Sequence, residues 1–278
     1  MTKTRLDVLL VERGLYPSRE AARRAIMAGL VRVAGGRAEK PGMKVEEDAA
    51  VEIDRPAREY ASRGGLKLER ALDAFGISVA GRVAVDVGAS TGGFTDCLLQ
   101  RGAKRVYAVD VGYGQLAWRL RQDPRVCVME RTNFRHVDPA QFDPPPDLAV
   151  MDVSFISIRL LFPKLSEVCV PDADIVTLIK PQFEAGRDRV GKGGIVRDPE
   201  VHRAVILDIL TSIESMGWCC RGLDYSPITG GDGNVEFLGW FRMQADVEET
   251  RRWAAAVDRV VEAAWAALKG TDRIGGSG

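Results

Sequence analysis

From residue 62 onward the chain alternates short, almost wholly apolar runs with helix-length segments, and this alternation constrains the fold more than any other feature. The runs are RVAVDV, RVYAVDV, RVCVME, DLAVMDV and DIVTLIK. A strand with one face in water alternates apolar and polar residues, whereas a run apolar at nearly every position needs cover on both faces. Helices packed on either side of a parallel sheet provide that cover. The expected fold is therefore α/β, a Rossmann-like sheet that is mostly parallel. The pattern changes late in the chain, where Trp218 to Tyr225 and Glu236 to Met243 flank a Gly-rich turn. Two strands so close predict a hairpin-like antiparallel pairing at the sheet edge, followed by a long helix from about Val247 to Leu268.

The first 55 residues follow other rules. Leu6, Leu9 and Leu10 have helical spacing and stop at Gly14, and Ser18 is placed to cap a second helix with Ala21, Ala22, Ala25 and Ile26 on its apolar face. Val31 to Val33 and Ala50 to Ile53 predict short strands in a small α+β domain. A chain of 278 residues suits two domains. The expected division is a first domain at 1–55, a linker at 56–61, a second domain at 62–270 and a flexible tail at 271–278.

The net charge of zero argues against a nucleic-acid binder until its distribution is read. Residues 1–44 hold ten Lys/Arg against four Asp/Glu, so the first domain is strongly basic and the remainder mildly acidic. That asymmetry fits one domain holding nucleic acid while the other performs chemistry. Arg5, Arg19, Arg23, Arg24 and Arg32 are the expected RNA contacts of the first domain, joined by Arg63 and Lys192 in the second. A solvated basic helix face would look similar, but clustering on one short helix and the following hairpin favours RNA.

Other functions find little material. No apolar run approaches the roughly 20 residues of a membrane span, and the N-terminal MTKTRLDVLL interrupts its apolar stretch with Asp7 and offers no small-residue cleavage site. The five cysteines form no C-x-x-C pair, which suits free thiols in a reducing cytoplasm. With two histidines, His136 and His202, neither a zinc site nor a histidine-based triad is expected, and no metal is invoked.

The run RVAVDV leads into Gly88-Ala89-Ser90-Thr91-Gly92-Gly93-Phe94 and then a helix. Glycines there let backbone approach a ligand at the carboxyl edge of the sheet. The spacing is G-x-x-x-G-G, so neither a dinucleotide fingerprint nor a P-loop is present. Asp110 ends the next strand, where a carboxylate can accept hydrogen bonds from both hydroxyls of a ribose. A D-x-G-x-x-x-G-G loop paired with such an acid looks like an S-adenosyl-L-methionine-dependent methyltransferase. The expected cofactor contacts are Asp86, Gly88, Ala89, Ser90, Gly92, Gly93, Phe94, Asp110, Asn133 and Asp152.

Four charged residues stand out by context. Asp152 ends DLAVMD and Lys180 ends DIVTLIK, so on neighbouring strands they would share one crevice. Lys67 lies between Arg63 and Arg70 at helical spacing with no acid beside it, and like charges so placed repel. Glu236 opens the apolar run VEFLGWF, where a buried carboxylate needs a partner. Two lysines and two carboxylates could neutralise one another at one site. Taken singly, a solvated Lys67, a structural Asp152–Lys180 pair and a solvent-edge Glu236 are the plainer readings.

The stretch RLDVLLVERGLYPSREAARRAIMAGLVRVAGGR resembles the alpha-L RNA-binding domain first known from a small-subunit ribosomal protein. The segments SRGGLKL, VDVGASTGGF, MDVSFIS, LIKPQFE and GNVEFLG resemble the TlyA family of ribosomal RNA methyltransferases, relatives of the FtsJ-like 2′-O-methyltransferases. The resemblance spans nearly the whole chain. It implies a catalytic Lys-Asp-Lys-Glu tetrad at Lys67, Asp152, Lys180 and Glu236, and 2′-O-methylation of cytidine in 16S and 23S ribosomal RNA, with rRNA or ribosomal subunits as partners. Lys180 is the candidate base for the ribose hydroxyl; burial and a second cation favour a neutral lysine while carboxylates oppose it, so its protonation state stays open. The loop GKGGIVR, 191–197, reads as a flexible basic segment beside the site that closes on RNA. Some family members are labelled haemolysins, which nothing in the composition supports. A nucleotide-dependent dehydrogenase is disfavoured by the loop spacing, and a non-enzymatic RNA-binding or lytic protein leaves the loop and both lysines unexplained.

Overall fold

A computed structural model of the chain describes residues 3–16, 18–27, 29–38, 40–53, 60–243 and 253–269. It divides into two compact units, Met1–Glu59 and Tyr60–Gly278. The expected linker at 56–61 falls mostly, and the tail at 271–278 wholly, outside the described residues.

The first unit runs β1 (Lys3–Arg5), α1 (Leu6–Glu12), α2 (Arg19–Met27), β2 (Val31–Val33), β3 (Gly36–Arg37), β4 (Lys44–Glu46) and β5 (Val51–Ile53). β1 pairs with β4, and β2 lies between β3 and β5. Leu6, Leu9 and Leu10 of α1 meet Ala22, Ala25 and Ile26 of α2 over Val31 and Val45. These are the apolar positions that the helical spacing marks, apart from Ala21, whose side chain lies outside the described residues. Asp7 is fully buried in the first turn of α1, a turn whose free N–H groups favour negative charge. Arg5 grips it with two hydrogen bonds of 2.9 and 3.0 Å, and Arg19 approaches at 3.3 Å. The Arg5 bonds hold the Asp7 carboxyl below the usual carboxylate range.

The second unit is built on a seven-stranded sheet. In chain order it runs α3 (Gly64–Phe75), β6 (Val83–Val87), α4 (Gly93–Gln100), β7 (Arg105–Val109), α5 (Trp118–Arg121), β8 (Val126–Met129), β9 (Leu148–Met151), α6 (Phe162–Val168), β10 (Asp174–Ile179), α7 (Pro181–Glu184), α8 (Pro199–Glu214), β11 (Trp218–Tyr225), β12 (Phe237–Met243) and α9 (Trp253–Lys269). The spatial order is β11-β12-β10-β9-β6-β7-β8. β6 through β10 run parallel, and β12 is antiparallel to both β10 and β11. The sheet is thus Rossmann-like and mostly parallel. The reversed strand sits one position inside the edge, and burial explains why. Phe237, Leu238 and Phe241 of β12 are at most 1% exposed, so this strand needs cover on both faces. The second half of β11 is partly exposed, which an edge position tolerates.

Each face of the sheet has its own core. Leu68 and Leu72 of α3 pack with Cys97 and Leu98 of α4 on one face. Phe162 and Leu165 of α6, Ile209 and Ile213 of α8, and Val257 and Val261 of α9 cover the other. His202 is a core residue on that side, its Nδ1 accepting from Trp265 Nε1 at 3.0 Å. The beginning of the expected last helix, before Trp253, lies outside the described residues. Because the chain leaves β6 toward β7 and β8 and returns on its other side to β9, β6 marks the point where strand order reverses. Open α/β sheets bind ligands outside the carboxyl ends of the strands at such a point.

Candidate active site

The loop after β6 is shaped by close contacts. Gly88 has φ +86°, and a Cβ there would come within 2.6 Å of the Asp152 carbonyl oxygen, so only glycine lets the exits of β6 and β9 touch. Ser90 is also left-handed, at φ +48°. Its backbone N–H donates to Asp110 Oδ2 at 2.7 Å, and the N–H of Gly112 donates to Asp110 Oδ1 at 2.7 Å. The carboxylate is thereby fixed in direction while each oxygen keeps acceptor capacity. A pocket of about 440 Å³ opens here, with Val109, Phe134 and Ile156 among its apolar walls and Asp110 and Asn133 among its polar ones. Asn133 Oδ1 accepts from the backbone N–H of Arg135 at 3.1 Å, which caps a short turn over residues 134–136.

A second pocket, about 410 Å³, is lined by Gly88, Ala89, Gly93 and Phe94 of the same loop and by all four of the singled-out charged residues. Gly88, Ser90, Asp152, Ser154 and Phe155 line both pockets and form their common wall. Asp152 and Lys180 follow β9 and β10 directly, and these strands are neighbours in register, Met151 opposite Thr177. Lys180 Nζ lies 2.6 Å from Asp152 Oδ1 and donates to Ser154 Oγ at 3.0 Å. Lys67, on the second turn of α3, finds its counter-charge 169 residues away: its Nζ lies 2.5 Å from Glu236 Oε2 and 3.9 Å from Asp152 Oδ2. Lys67 and Lys180 are each 8% exposed and Glu236 only 2%, with Asp152 partly exposed between them, so the four form one largely buried cluster of zero formal charge. Charges buried in this way persist only when paired.

Two expected cofactor contacts are placed elsewhere. Asp86 is fully buried in β6 and lines neither pocket. Its Oδ2 accepts from the Thr95 N–H at 2.9 Å and Thr95 Oγ1 at 2.7 Å, anchoring the first turn of α4 behind the loop. Burial pushes its carboxyl up to about 7, against the hydrogen bonds from Thr95. Gly92, at φ +95°, lines neither pocket; its missing Cβ makes room for Leu116 and Leu120.

The expected RNA contacts also divide. Arg63 is exposed at the start of α3 and lines the 410 Å³ pocket, and Arg23, Arg32 and Lys192 are exposed. Arg5 and Arg19 are half-exposed but engaged with the buried Asp7, which gives them a structural task in the first unit. The Arg24 side chain lies outside the described residues. The loop over 191–197 is not an open segment. Gly194 N–H donates to the Gly191 carbonyl and Gly191 N–H to that of Ile195, each at 3.1 Å, and the side chain of Asn234 bonds both Gly194 and Val196.

Sequence reasoning missed several residues that shape the site. Phe155 is 91% exposed at φ +64°, its ring 5.0 Å from that of Phe183. Glu184 accepts from Ser157 Oγ at 2.7 Å and from the Ile158 N–H at 2.8 Å, tying the exit of β10 to that of β9, and burial raises its pKa. The motifs MDVSFIS and LIKPQFE contain these residues, but spacing gives no hint that they meet. Among the described residues no cluster of His, Cys, Asp and Glu is arranged to hold a metal ion, and no helix is long and apolar enough to cross a membrane.

Comparison with known proteins follows the same division. The FtsJ-like methyltransferase family model matches residues 60–243, and the S4 domain model matches residues 4–51. A Bacillus subtilis (strain 168) protein named as an rRNA methyltransferase, YqxC, is 54% identical over 269 residues, 96% of each chain. The 16S/23S rRNA (cytidine-2′-O)-methyltransferase TlyA of Mycobacterium tuberculosis is 48% identical over 245 residues, 88% of this chain and 91% of its own. A solved structure described as a hemolysin from Streptococcus thermophilus is 44% identical, with a TM-score of 0.77, and covers 98% of this chain and 99% of that one. Since the sheet, the loop and both domain models agree over most of its length, the chain belongs to the FtsJ-like methyltransferase family, as a TlyA-type member with an S4 domain ahead of the methyltransferase domain.

Proposed function

We propose that this enzyme transfers the methyl group of S-adenosyl-L-methionine to the 2′-hydroxyl of cytidine in 16S and/or 23S ribosomal RNA, in the cytoplasm, on free rRNA or ribosomal subunits. The observation that carries the reading is the position of Asp152. It stands on the wall shared by the two pockets and pairs with Lys180 at 2.6 Å, so one pocket can hold the donor and the other the acceptor nucleotide. The 440 Å³ pocket suits a nucleoside, with apolar walls for a purine and at its edge a carboxylate whose direction two backbone N–H groups fix for a ribose diol. Bound S-adenosyl-L-methionine supplies a methyl on a sulfonium that carries its own leaving group. The protein's task is to strip water from the hydroxyl, aim it and receive its proton. Lys180, an ammonium in the resting cluster, acts as base once it has released a proton to solvent; its neutral Nζ then receives the hydroxyl's proton, and Asp152 Oδ1 balances the ammonium re-formed. Lys67 and Glu236 hold Asp152 from the other side, at 3.9 and 2.5 Å along the chain of contacts. Exposed Arg23 and Arg32 of the first unit supply affinity for the RNA backbone.

The test is single-turnover methyl transfer to rRNA from a strain lacking the gene, with mass spectrometry of the product nucleosides. Wild type should yield 2′-O-methylcytidine, and Lys180→Ala should lose most of the rate with cofactor and RNA saturating. A Lys180→Ala rate near wild type would reduce the tetrad to a structural ion-pair cluster, and methyl on a base nitrogen or carbon would refute the ribose assignment.

A further inference from the structure

The basic loop at 191–197 is held by one buried side chain. Asn234 is 1% exposed; its Oδ1 accepts from the Val196 N–H at 3.0 Å, and its Nδ2 donates to the Gly194 carbonyl at 2.9 Å. Gly193 and Gly194 both take positive φ, +79° and +75°, so the turn is a specific shape that glycine permits and Asn234 fastens at its base. Val196 is buried at 1%, while Lys192 and Arg197 on either side of the tip are exposed. The backbone at the same position also belongs to the turn that borders the tetrad. Its own carbonyl accepts from the Gly230 N–H at 2.9 Å, and at Gly230 a Cβ would come within 2.6 Å of Glu236 Oε1. Gly231, Asp232 and Glu236 of this turn line the acceptor pocket.

We infer that Asn234 is a positioning residue that presets the 191–197 loop as a rigid two-cation arm, Lys192 and Arg197, for the phosphodiester backbone of the substrate RNA. This rests on the RNA methyltransferase reading and adds to it the residue that orients the strand relative to Glu236. A preset arm loses little entropy on binding, whereas a free glycine-rich loop would have to be ordered each time. An asparagine that only braced a surface turn would affect stability but not the electrostatics of RNA binding.

The experiment measures equilibrium binding of the full-length chain to rRNA as a function of salt, which needs no methyl transfer. Lys192→Ala/Arg197→Ala, at exposed positions, leaves the fold intact and removes two phosphate contacts. It should lower the slope of log Kobs against log salt by roughly 1.4–1.8. Asn234→Ala should lower the slope by a similar amount, raise KM for RNA roughly tenfold, and leave the thermal shift produced by S-adenosyl-L-methionine unchanged. The triple variant should be no weaker than the worse of its parents, because Asn234 acts through the arm. The inference is overturned by an unchanged slope in Lys192→Ala/Arg197→Ala, by additive losses in the triple variant, or by a fall in kcat with KM for RNA unchanged. If Asn234→Ala fails to fold, the slope of the surface variant still decides whether the arm contacts RNA. A wild type that binds rRNA but transfers no methyl would sink the functional reading while the slopes still judge the arm.

Discussion

Removing the Glu236 carboxylate should destabilise the methyltransferase unit more than its size suggests. With Glu236→Ala, Lys67 keeps one partner, Asp152 Oδ2 at 3.9 Å, and that carboxylate already serves Lys180 at 2.6 Å. The cluster passes from formal neutrality to an excess of one positive charge among side chains that are about 10% exposed or less, except Asp152. Breaking a buried pair by deleting one member costs about 3–5 kcal/mol. The residual Asp152 contact reduces this to about 2–4 kcal/mol, or a fall in Tm of roughly 6–12 °C for a unit of this size. The control is Lys67→Met/Glu236→Leu, which removes both charges at similar volume. Replacing a buried pair by apolar residues is often neutral or stabilising, so the double variant should recover most of the lost Tm while remaining inactive. Differential scanning calorimetry with a methyl-transfer assay on the same samples reads both quantities. A Glu236→Ala unit within about 0.5 kcal/mol of wild type, or a double variant no more stable than the single, would refute the account of a desolvated, mutually neutralised cluster.

Other perturbations separate the remaining parts. Asp86 titrates near 7 when folded against a reference of 3.8, so between those values the native state holds the extra proton and its stability falls as pH rises. Asp86→Asn should therefore be more stable than wild type at pH 8 and nearly equal at pH 4, and thermal melts showing a gain independent of pH would contradict the buried, uncharged carboxyl. A cofactor that binds only the native state adds about 2.7 kcal/mol at 100 times its Kd; Asp110→Ala should lose most of the shift given by S-adenosyl-L-methionine, and an undiminished shift would misplace the ribose contact. Deleting residues 1–59, a separate compact unit, should leave that shift intact and make RNA binding less salt-dependent, because fewer counterions are released; equal slopes with and without the segment would assign RNA affinity to the methyltransferase unit.

How far such a site can be read from sequence depends on where each residue finds its partner. The parallel strands were legible because burial on both faces leaves an unbroken apolar run, and Asp152 and Lys180 were legible because a charge ending such a run must emerge at the sheet edge. Strand order at the far side was not. The short connection signals that β11 and β12 pair, but which of them lies outside depends on what covers each face. Lys67 and Glu236 lacked local counter-charges, but taken singly each read as a solvated side chain; it was the family resemblance that grouped them with Asp152 and Lys180, because an unmatched charge on an apolar element does not name its distant partner. Asp86 illustrates the opposite case: proximity to the glycine loop suggested a ligand contact, whereas in the structure its hydrogen bonds go to Thr95, nine residues on in the first turn of α4. Asn234 and Glu184 gave no signal at all, since a buried side chain that ties one loop to another looks in sequence like any polar loop residue. Sequence therefore exposes the members of a charged cluster, whose unpaired state is costly and local, more readily than the buried hydrogen-bonding residues that tie the surrounding loops together. For those residues mutation, rather than motif, has to supply the assignment.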